Sequence, residues 1–157
     1  MRAWRARRQF DLGFRRQMLT LDGVASGDSI GIWQAPGVFR ALALRHFSFL
    51  VDEFGFRVAD ESATPFVVFA SDNEEVWVYY NAEWHHELDV AFRDPADPDG
   101  ASRGIDMLLA DGGLGAVPAD DLALQMPSSE GQLDTALLLR ASQVRQLITR
   151  RNSERRQ

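Results

Sequence analysis

Three β-rich segments lie close together in the middle of the chain, and their spacing constrains the fold more than any other feature. They span residues 66–70, 75–80 and 84–92, with the sequences "FVVFA", "EVWVYY" and "WHHELDVAF". Four residues separate the first pair and three separate the second. Parallel strands need a crossover of about a dozen residues or more, so these segments are predicted to form an antiparallel meander. Residues 56–58 are a candidate for one further strand.

A long apolar segment ahead of the strands predicts a buried helix over residues 36–55. Pro36 suits a first helical turn, and Gly55 suits the left-handed position that ends a helix. His46 falls on the apolar stripe, where a core histidine with one hydrogen-bond partner is favoured over a metal ligand. The stripe also holds Phe39, Leu42, Phe49 and Leu50, and a second apolar side holds Val38, Leu44, Phe47 and Val51.

Two further helices are predicted after the strands. In residues 102–112, Ser102 is the expected N-cap and Gly112 the expected end. Ser129 and Gln132 have the spacing of a capping box and open a C-terminal helix. Its apolar positions at helical spacing are Leu137, Leu138, Ala141, Val144, Leu147 and Ile148. The predicted fold class is α+β, an antiparallel three- to four-stranded meander packed against a buried N-terminal helix and a C-terminal helix.

The distribution of arginine and glycine divides the chain into three predicted parts. Residues 1–34 are a basic N-terminal extension and linker, with six Arg in the first 16 positions and Gly, Ser and Asp after them. Residues 35–151 form a single α+β domain, and residues 152–157 are a basic C-terminal tail. Met18 offers an alternative start, which would remove the basic extension from the working protein.

Composition and charge exclude some classes of function. The 157 residues include no Cys, which excludes disulfides, thiolate zinc sites and cysteine nucleophiles. No apolar run reaches the roughly 18 residues of a membrane span. Residues 17–139 hold five of the 17 arginines and 21 of the 23 acids, a formal charge of −16. Such a body repels nucleic acid and attracts a basic partner.

The middle β-rich segment offers a candidate binding surface. Side chains alternate along a strand, so Val76, Val78 and Tyr80 are expected to face the helices. Glu75, Trp77 and Tyr79 then share the opposite face. This second face is either another buried layer or a partner-binding surface, and we expect these three residues to bind the partner.

The stretch "WHHELDV" raises the question of a metal site. On a strand, His85, Glu87 and Asp89 fall on one face and form the candidate ligand set. Neighbours of this kind are about 6.5–7 Å apart, so three in a row cannot surround a single ion and another strand would have to contribute. We therefore favour a polar row opposite an apolar row, as in any half-buried antiparallel strand, with metal binding as the alternative.

The run "FSFLVDEFGFRV" (residues 47–58), with the strands and terminal helix that follow it, resembles a loose class of small bacterial α+β proteins. The resemblance covers about residues 45–150 and depends on Phe47, Phe49, Leu50, Gly55 and Phe56. Some members of this class are suspected immunity or toxin-antagonist proteins. The resemblance implies a protein-binding role and supplies no catalytic residues.

The function expected from these observations is a non-enzymatic protein-interaction module, of immunity type, that binds a basic protein partner. A metal-dependent enzyme using His85, Glu87 and Asp89 is the alternative, and a self-associating structural protein, such as a homodimer, is the second alternative. No cofactor, no nucleic-acid partner and no membrane span are expected, and the expected location is cytoplasmic.

Overall fold

The predicted antiparallel meander is present in the computed structural model of the chain, which describes residues 36–59, 66–81, 87–97, 99–114 and 121–157. The strands are β1 (Arg57–Val58), β2 (Phe66–Ala70), β3 (Glu75–Asn81), β4 (Glu87–Arg93) and β5 (Arg103–Gly104). The helices of the described residues are α1 (Pro36–His46), α2 (Ser48–Asp52), α3 (Ile105–Asp111), α4 (Leu122–Gln125) and α5 (Glu130–Glu154). The predicted α+β class is confirmed. The predicted extension, residues 1–34, lies outside the described residues.

The five strands form one sheet in chain order, β1-β2-β3-β4-β5, with every neighbouring pair antiparallel. The central register aligns Val67 with Val78 and Val78 with Val90. The short turn between β2 and β3 is closed by Ser71, whose backbone N–H donates to the carbonyl of Glu74 at 2.8 Å. Strand β5 was not predicted, because two residues carry too little alternation to signal a strand.

One face of the sheet packs against the helices and forms the core. Phe47, between α1 and α2, stacks on Phe69 of β2 with ring centroids 5.9 Å apart. Tyr80 of β3 donates its hydroxyl to the carbonyl of Pro127 at 2.8 Å, which satisfies a buried polar group. The strand residues of this core are Val67, Phe69, Val76, Val78, Tyr80, Leu88, Val90 and Phe92. The expected orientation of Val76, Val78 and Tyr80 is thus confirmed.

The segment predicted as one N-terminal helix forms two helices that meet at Phe47. The N–H of Leu50 donates to the carbonyl of Phe47 at 3.0 Å, a bond across three residues that tightens the chain there. This tighter turn changes the helical phase, and Val51, expected to be buried, is exposed. Gly55 adopts a φ of 72°, as predicted for the residue that turns the chain back after a helix.

The helix predicted over residues 102–112 starts later than expected. Its N-cap is Gly104, which makes no side-chain cap, so the assignment of Ser102 as N-cap was wrong. The physical reason is that Arg103 and Gly104 pair with β4 as strand β5, which keeps the chain extended up to Ile105. Gly112 does cap the C-terminus, its N–H donating to the carbonyl of Leu108 at 3.0 Å.

The C-terminal helix α5 is the longest element of the described residues, with 25 residues. Ser129 is its N-cap and accepts from the N–H of Gln132 at 3.2 Å, as predicted. Gln132 in turn accepts from the N–H of Ser128 at 2.9 Å, so the reciprocal bond of the box reaches one residue further back. The helix continues to Glu154, three residues into the predicted tail. No helix in the described part of the chain combines the length and apolarity needed to cross a membrane.

Candidate interaction surface

The face of the sheet opposite the core carries a second set of side chains, which we call the outer sheet face. It follows from strand alternation combined with the register of β2, β3 and β4. The register forms three rows across these strands, Phe66–Tyr79–Asp89, Val68–Trp77–Ala91 and Ala70–Glu75–Arg93. Glu87 lies beyond the first row, opposite Asn81. The predicted surface residues Glu75, Trp77 and Tyr79 therefore do share one face.

Three aromatic rings form the centre of the outer sheet face. Phe66 contacts Trp77 edge-on, with centroids 5.4 Å apart, and lies against Tyr79 at 4.9 Å. Phe66 and Trp77 are partly exposed, whereas Tyr79 is only 7% exposed. These residues do not belong to the core cluster of the helices. The outer sheet face is thus a separate apolar layer with Trp77 and Phe66 as its accessible rings.

The indole of Trp77 lies between an acid and a base. Its Nε1–H donates to Oε2 of Glu75 at 2.9 Å. The guanidinium carbon of Arg93 lies over the ring, 5.8 Å from its centroid. A cation over a tryptophan ring is attracted by the negative face of the π system, and a nearby carboxylate adds to that attraction. This corner of the outer sheet face therefore holds an arginine by chemistry that another arginine could also use.

A second acidic position lies at the other end of the outer sheet face. Burial raises the pKa of Asp89 to about 6. The hydrogen bond from the N–H of Val90, at 2.7 Å, and the charge of Arg140 lower this pKa, and the charge of Asp106 raises it. Glu87 is the next residue on the same face and is partly exposed. The two carboxyl groups make this end of the face acidic.

No protein-family model, curated protein or solved structure matches the chain. The resemblance of residues 47–58 to small bacterial α+β proteins stays an expectation.

The predicted metal site falls only partly within the described residues. Glu87 and Asp89 lie on β4 and on the same face, as predicted, while His85 lies outside the described residues. Among the residues that the structure describes, no three His, Asp or Glu side chains are grouped so that they could hold a metal ion. Metal binding by His85, Glu87 and Asp89 stays a prediction.

Sequence reasoning missed a buried arginine next to the acidic end of the face. Arg140 of α5 is 2% exposed and forms a two-pronged ion pair with Asp106 of α3. It also donates to Oε1 of Gln143 at 3.2 Å. The signal was present in the sequence, since Arg140 follows Leu137 by three residues and so falls on the buried stripe of α5.

The charge map differs from the predicted acidic body with a separate basic C-terminus. Arginines of α5 pair with acids of other elements, Arg145 with Glu53 at 2.8 Å and Arg151 with Glu74 at 2.6 Å. Counted over the described residues, 16 acids face 11 arginines, a formal charge of −5. The prediction counted the arginines of residues 140–157 apart from the acids of residues 17–139, whereas the fold pairs members of the two groups. Any selection of a basic partner therefore depends on local acids such as Glu75 and Glu87.

His46, predicted as a core histidine with one hydrogen-bond partner, is partly buried and lies beside Arg45 and Asp134. Its Nε2 lies 2.6 Å from Oδ1 of Asp134 on α5, and Arg45 pairs with the same carboxylate. The hydrogen bond to His46 is the largest of the causes that lower the pKa of Asp134. The contact links α1 to α5, and we assign it to the packing of these two helices.

Proposed function

We propose that this protein is a non-enzymatic interaction module that binds a basic segment of a protein partner with its outer sheet face. The observation that carries the proposal is the position of Arg93 over Trp77, with Glu75 hydrogen-bonded to the same indole. The chain itself thus places a guanidinium on this ring. A partner's arginine or lysine would take the same position or share the ring with Arg93.

The binding mode follows from the spacing of the acids. Glu75 lies four residues from Tyr79 along β3, and Tyr79 is paired with Asp89. The two acidic positions are therefore about 13 Å apart along the strand direction. An extended segment with basic residues at positions i and i+4 has the same spacing. We infer that such a segment, with an apolar residue between its charges, would fit the face best.

Within this proposal the three predicted residues have different roles. Trp77 is partly exposed and offers the contact surface, and Glu75 supplies the charge beside it. Tyr79 is buried and packs beneath Phe66, so it supports the surface instead of contacting the partner. An immunity-type role, in which the basic partner is a toxin, belongs to the same proposal and is supported by the resemblance alone.

The test compares two single-residue variants of the full chain as baits in a lysate of the native host at moderate salt. Trp77→Arg places a positive charge in the proposed site, and Leu138→Arg places the same charge on the exposed side of α5. We expect one basic protein to be retained by the wild type and by Leu138→Arg and lost by Trp77→Arg. The difference between the variants, not the capture itself, supports the proposal.

A second pair of variants covers the case in which Trp77→Arg unfolds. Glu75→Arg reverses the charge at the proposed site without removing an aromatic ring, and Glu130→Arg does so at an exposed position in the first turn of α5. Circular dichroism and thermal midpoints establish that each variant is folded. Retention of the basic partner by folded Glu75→Arg and Trp77→Arg would place the binding surface elsewhere.

Self-association is a second candidate function, and one observation favours it. The outer sheet face has Arg93 in one end row and Asp89 and Glu87 at the other end. A second copy turned by half a rotation would bring its acids opposite this arginine, as a twofold interface requires. Sedimentation of the wild type and of Trp77→Arg separates the two candidates. A dimer that Trp77→Arg dissociates would favour self-association.

A further inference from the structure

We propose that residues 1–18 of this chain lie on its own outer sheet face and compete there with a basic partner. The competition with a basic partner rests on the function proposed above. The docking of residues 1–18 is tested without any partner.

The outer sheet face includes apolar residues that are almost completely buried. Val68, Tyr79 and Ala91 are only 6%, 7% and 3% exposed. In a sheet with one solvated face, that face is normally accessible to water. The buried apolar residues of the described helices belong to the core cluster on the opposite side of the sheet. The described helices therefore do not cover Val68 and Tyr79, and a segment outside the described ranges can contribute to their burial.

The segments outside the described residues differ greatly in length. Residues 60–65 and 82–86 precede Phe66 and Glu87 in sequence, at the end of the face that holds the first row. Val68 and Ala91 are about 7 Å further in, since each lies two residues along its strand from the first row. Residues 1–35 offer far more chain. The 17 residues between position 18 and Pro36 can span about 56–61 Å when extended, enough to pass around the sheet.

Residues 1–18 are chemically complementary to the outer sheet face. Residues 1–18 contain six arginines and one acid, with Trp4, Phe10 and Phe14 interleaved. The outer sheet face presents Phe66 and Trp77 with carboxylates beside them and at its far end. Aromatic rings can pack on the apolar centre of the face, and arginines can pair with Glu75, Glu87 and Asp89. The segment has the composition expected of the proposed partner.

Docking of this kind would regulate access to the face. A partner can bind only the fraction of molecules in which residues 1–18 are displaced, and its apparent dissociation constant rises by the inverse of that fraction. A 17-residue linker of Gly/Ser type has a root-mean-square span of roughly 20–25 Å, and a tether of this length would hold the segment at a high effective concentration. If the segment occupies the face nine-tenths of the time, the partner binds about tenfold more weakly.

The experiment uses the absence of cysteine in the full chain. Gln9→Cys supplies a single attachment point for a nitroxide spin label, and NMR of the ¹⁵N-labelled chain reports which signals the label broadens. We expect broadening of the indole N–H of Trp77 and of the amides of Val68 and Ala91. The amides of Leu138 and Ser142 on α5 are the internal reference and should stay sharp.

Two controls make the result decisive. Replacing Arg2, Arg5, Arg7 and Arg8 by Ser in the labelled chain should restore the Trp77 signal, whereas Arg155→Ser with Arg156→Ser should leave it broadened. A mixture of spin-labelled ¹⁴N chain and unlabelled ¹⁵N chain detects docking between two copies. Absence of broadening on the outer sheet face, equal broadening of α5, or equally strong broadening in the mixture would each overturn the proposal.

These outcomes are independent of the test with Trp77→Arg baits. If residues 1–18 do not dock but the baits retain a Trp77-dependent partner, the proposed function stands and only its regulation is removed. A docking signal without any such partner would establish residues 1–18 as the occupant of the face and remove the proposed function.

Discussion

The guanidinium of Arg140 donates to both carboxylate oxygens of Asp106, at 2.7 and 3.1 Å, and so joins α5 to the first turn of α3. Arg140 is almost completely buried, while Asp106 is half-exposed. The ion pair therefore joins a buried positive charge to an acid that still contacts water. Among the described residues, Nε of Arg140 has no hydrogen-bond partner, which leaves the ion pair with Asp106 as its main compensation.

Breaking this pair from the acid side should destabilise the fold strongly. We expect Asp106→Ala to lower the free energy of unfolding by about 3 kcal/mol, because it removes the ion-pair partner of the buried Arg140. Asp111→Ala is the matched control, since it breaks the exposed ion pair between Asp111 and Arg103 and should cost less than about 1 kcal/mol. Urea denaturation measures both. Equal losses for the two variants would show that burial of Arg140 does not matter.

Replacing the arginine itself should be less harmful. Arg140→Met removes the buried charge together with the ion pair to Asp106, and it keeps an unbranched apolar side chain at this position. We therefore expect a smaller loss in the free energy of unfolding than for Asp106→Ala. In the double variant the loss from Asp106→Ala should largely disappear, because no buried charge remains unpaired. Fully additive losses in this cycle would contradict the coupling between α3 and α5.

The acidic end of the outer sheet face predicts a pH dependence of stability. Burial raises the pKa of Asp89 from 3.8 to about 6, so the folded chain binds a proton that the unfolded chain releases between these values. The stability contributed by protonated Asp89 is present below pH 3.8 and is lost as the pH rises to about 6. The loss amounts to at most about 3 kcal/mol by the linkage relation.

Asp89→Asn isolates this effect from the other acids. The variant keeps an oxygen to accept from Val90 and cannot ionise, so it should gain stability relative to the wild type above pH 6 and match it near pH 4. Asp72→Asn, on the exposed turn between β2 and β3, is the control and should not gain in this window. Urea midpoints from pH 4 to 8 give the comparison. A constant difference between Asp89→Asn and wild type would contradict the raised pKa.

The sequence predicted those parts of the fold that depend on local patterns. Short spacing between the β-rich segments required an antiparallel meander, and the capping residues Ser129 and Gln132 marked the start of α5. It missed the break at Phe47 and the strand β5, because both depend on contacts with distant elements instead of on local preference. Ser102 has the right chemistry for an N-cap, but the pairing of Arg103 and Gly104 with β4 decides where α3 begins.

For the candidate surface, the sequence predicted which residues share a face but not the contacts between neighbouring strands. Alternation along β3 correctly grouped Glu75, Trp77 and Tyr79 on one face. It could not show that Arg93 lies over Trp77, because that contact depends on the register between two strands. The sequence could not show the pairing of acids and arginines for the same reason, since Arg145 and Arg151 lie far in sequence from the acids that they pair with.

Metal analysis tests the alternative that involves His85. We expect elemental analysis of the purified chain to find no stoichiometric transition metal, because ligands in a row along one strand cannot surround an ion and Asp89 already accepts from Val90. Asp89 would also have to be deprotonated to bind an ion, and burial raises its pKa to about 6. A stoichiometric metal that His85→Ala removes, and that Asp72→Asn does not, would favour the metal-dependent enzyme.

The contact between Arg93 and Trp77 gives the sharpest prediction for the proposed surface. Arg93→Ala removes the guanidinium that occupies the ring and leaves Glu75 hydrogen-bonded to the indole. We expect a deca-arginine peptide, used as a probe of basic segments, to bind this variant about two- to fivefold more tightly than the wild type. This range corresponds to the roughly 0.5–1 kcal/mol of a partly exposed cation–π contact.

Arg103→Ala separates this effect from net charge. Arg103 is exposed, pairs with Asp111 and carries the same charge as Arg93, so its loss makes the chain equally more negative without freeing Trp77. Isothermal titration calorimetry at two salt concentrations compares the three chains. Tightening by Arg93→Ala alone would place the peptide on Trp77. Equal tightening by both variants would reduce the attraction to a general effect of charge, and weaker binding by Arg93→Ala would make Arg93 a structural support of the face.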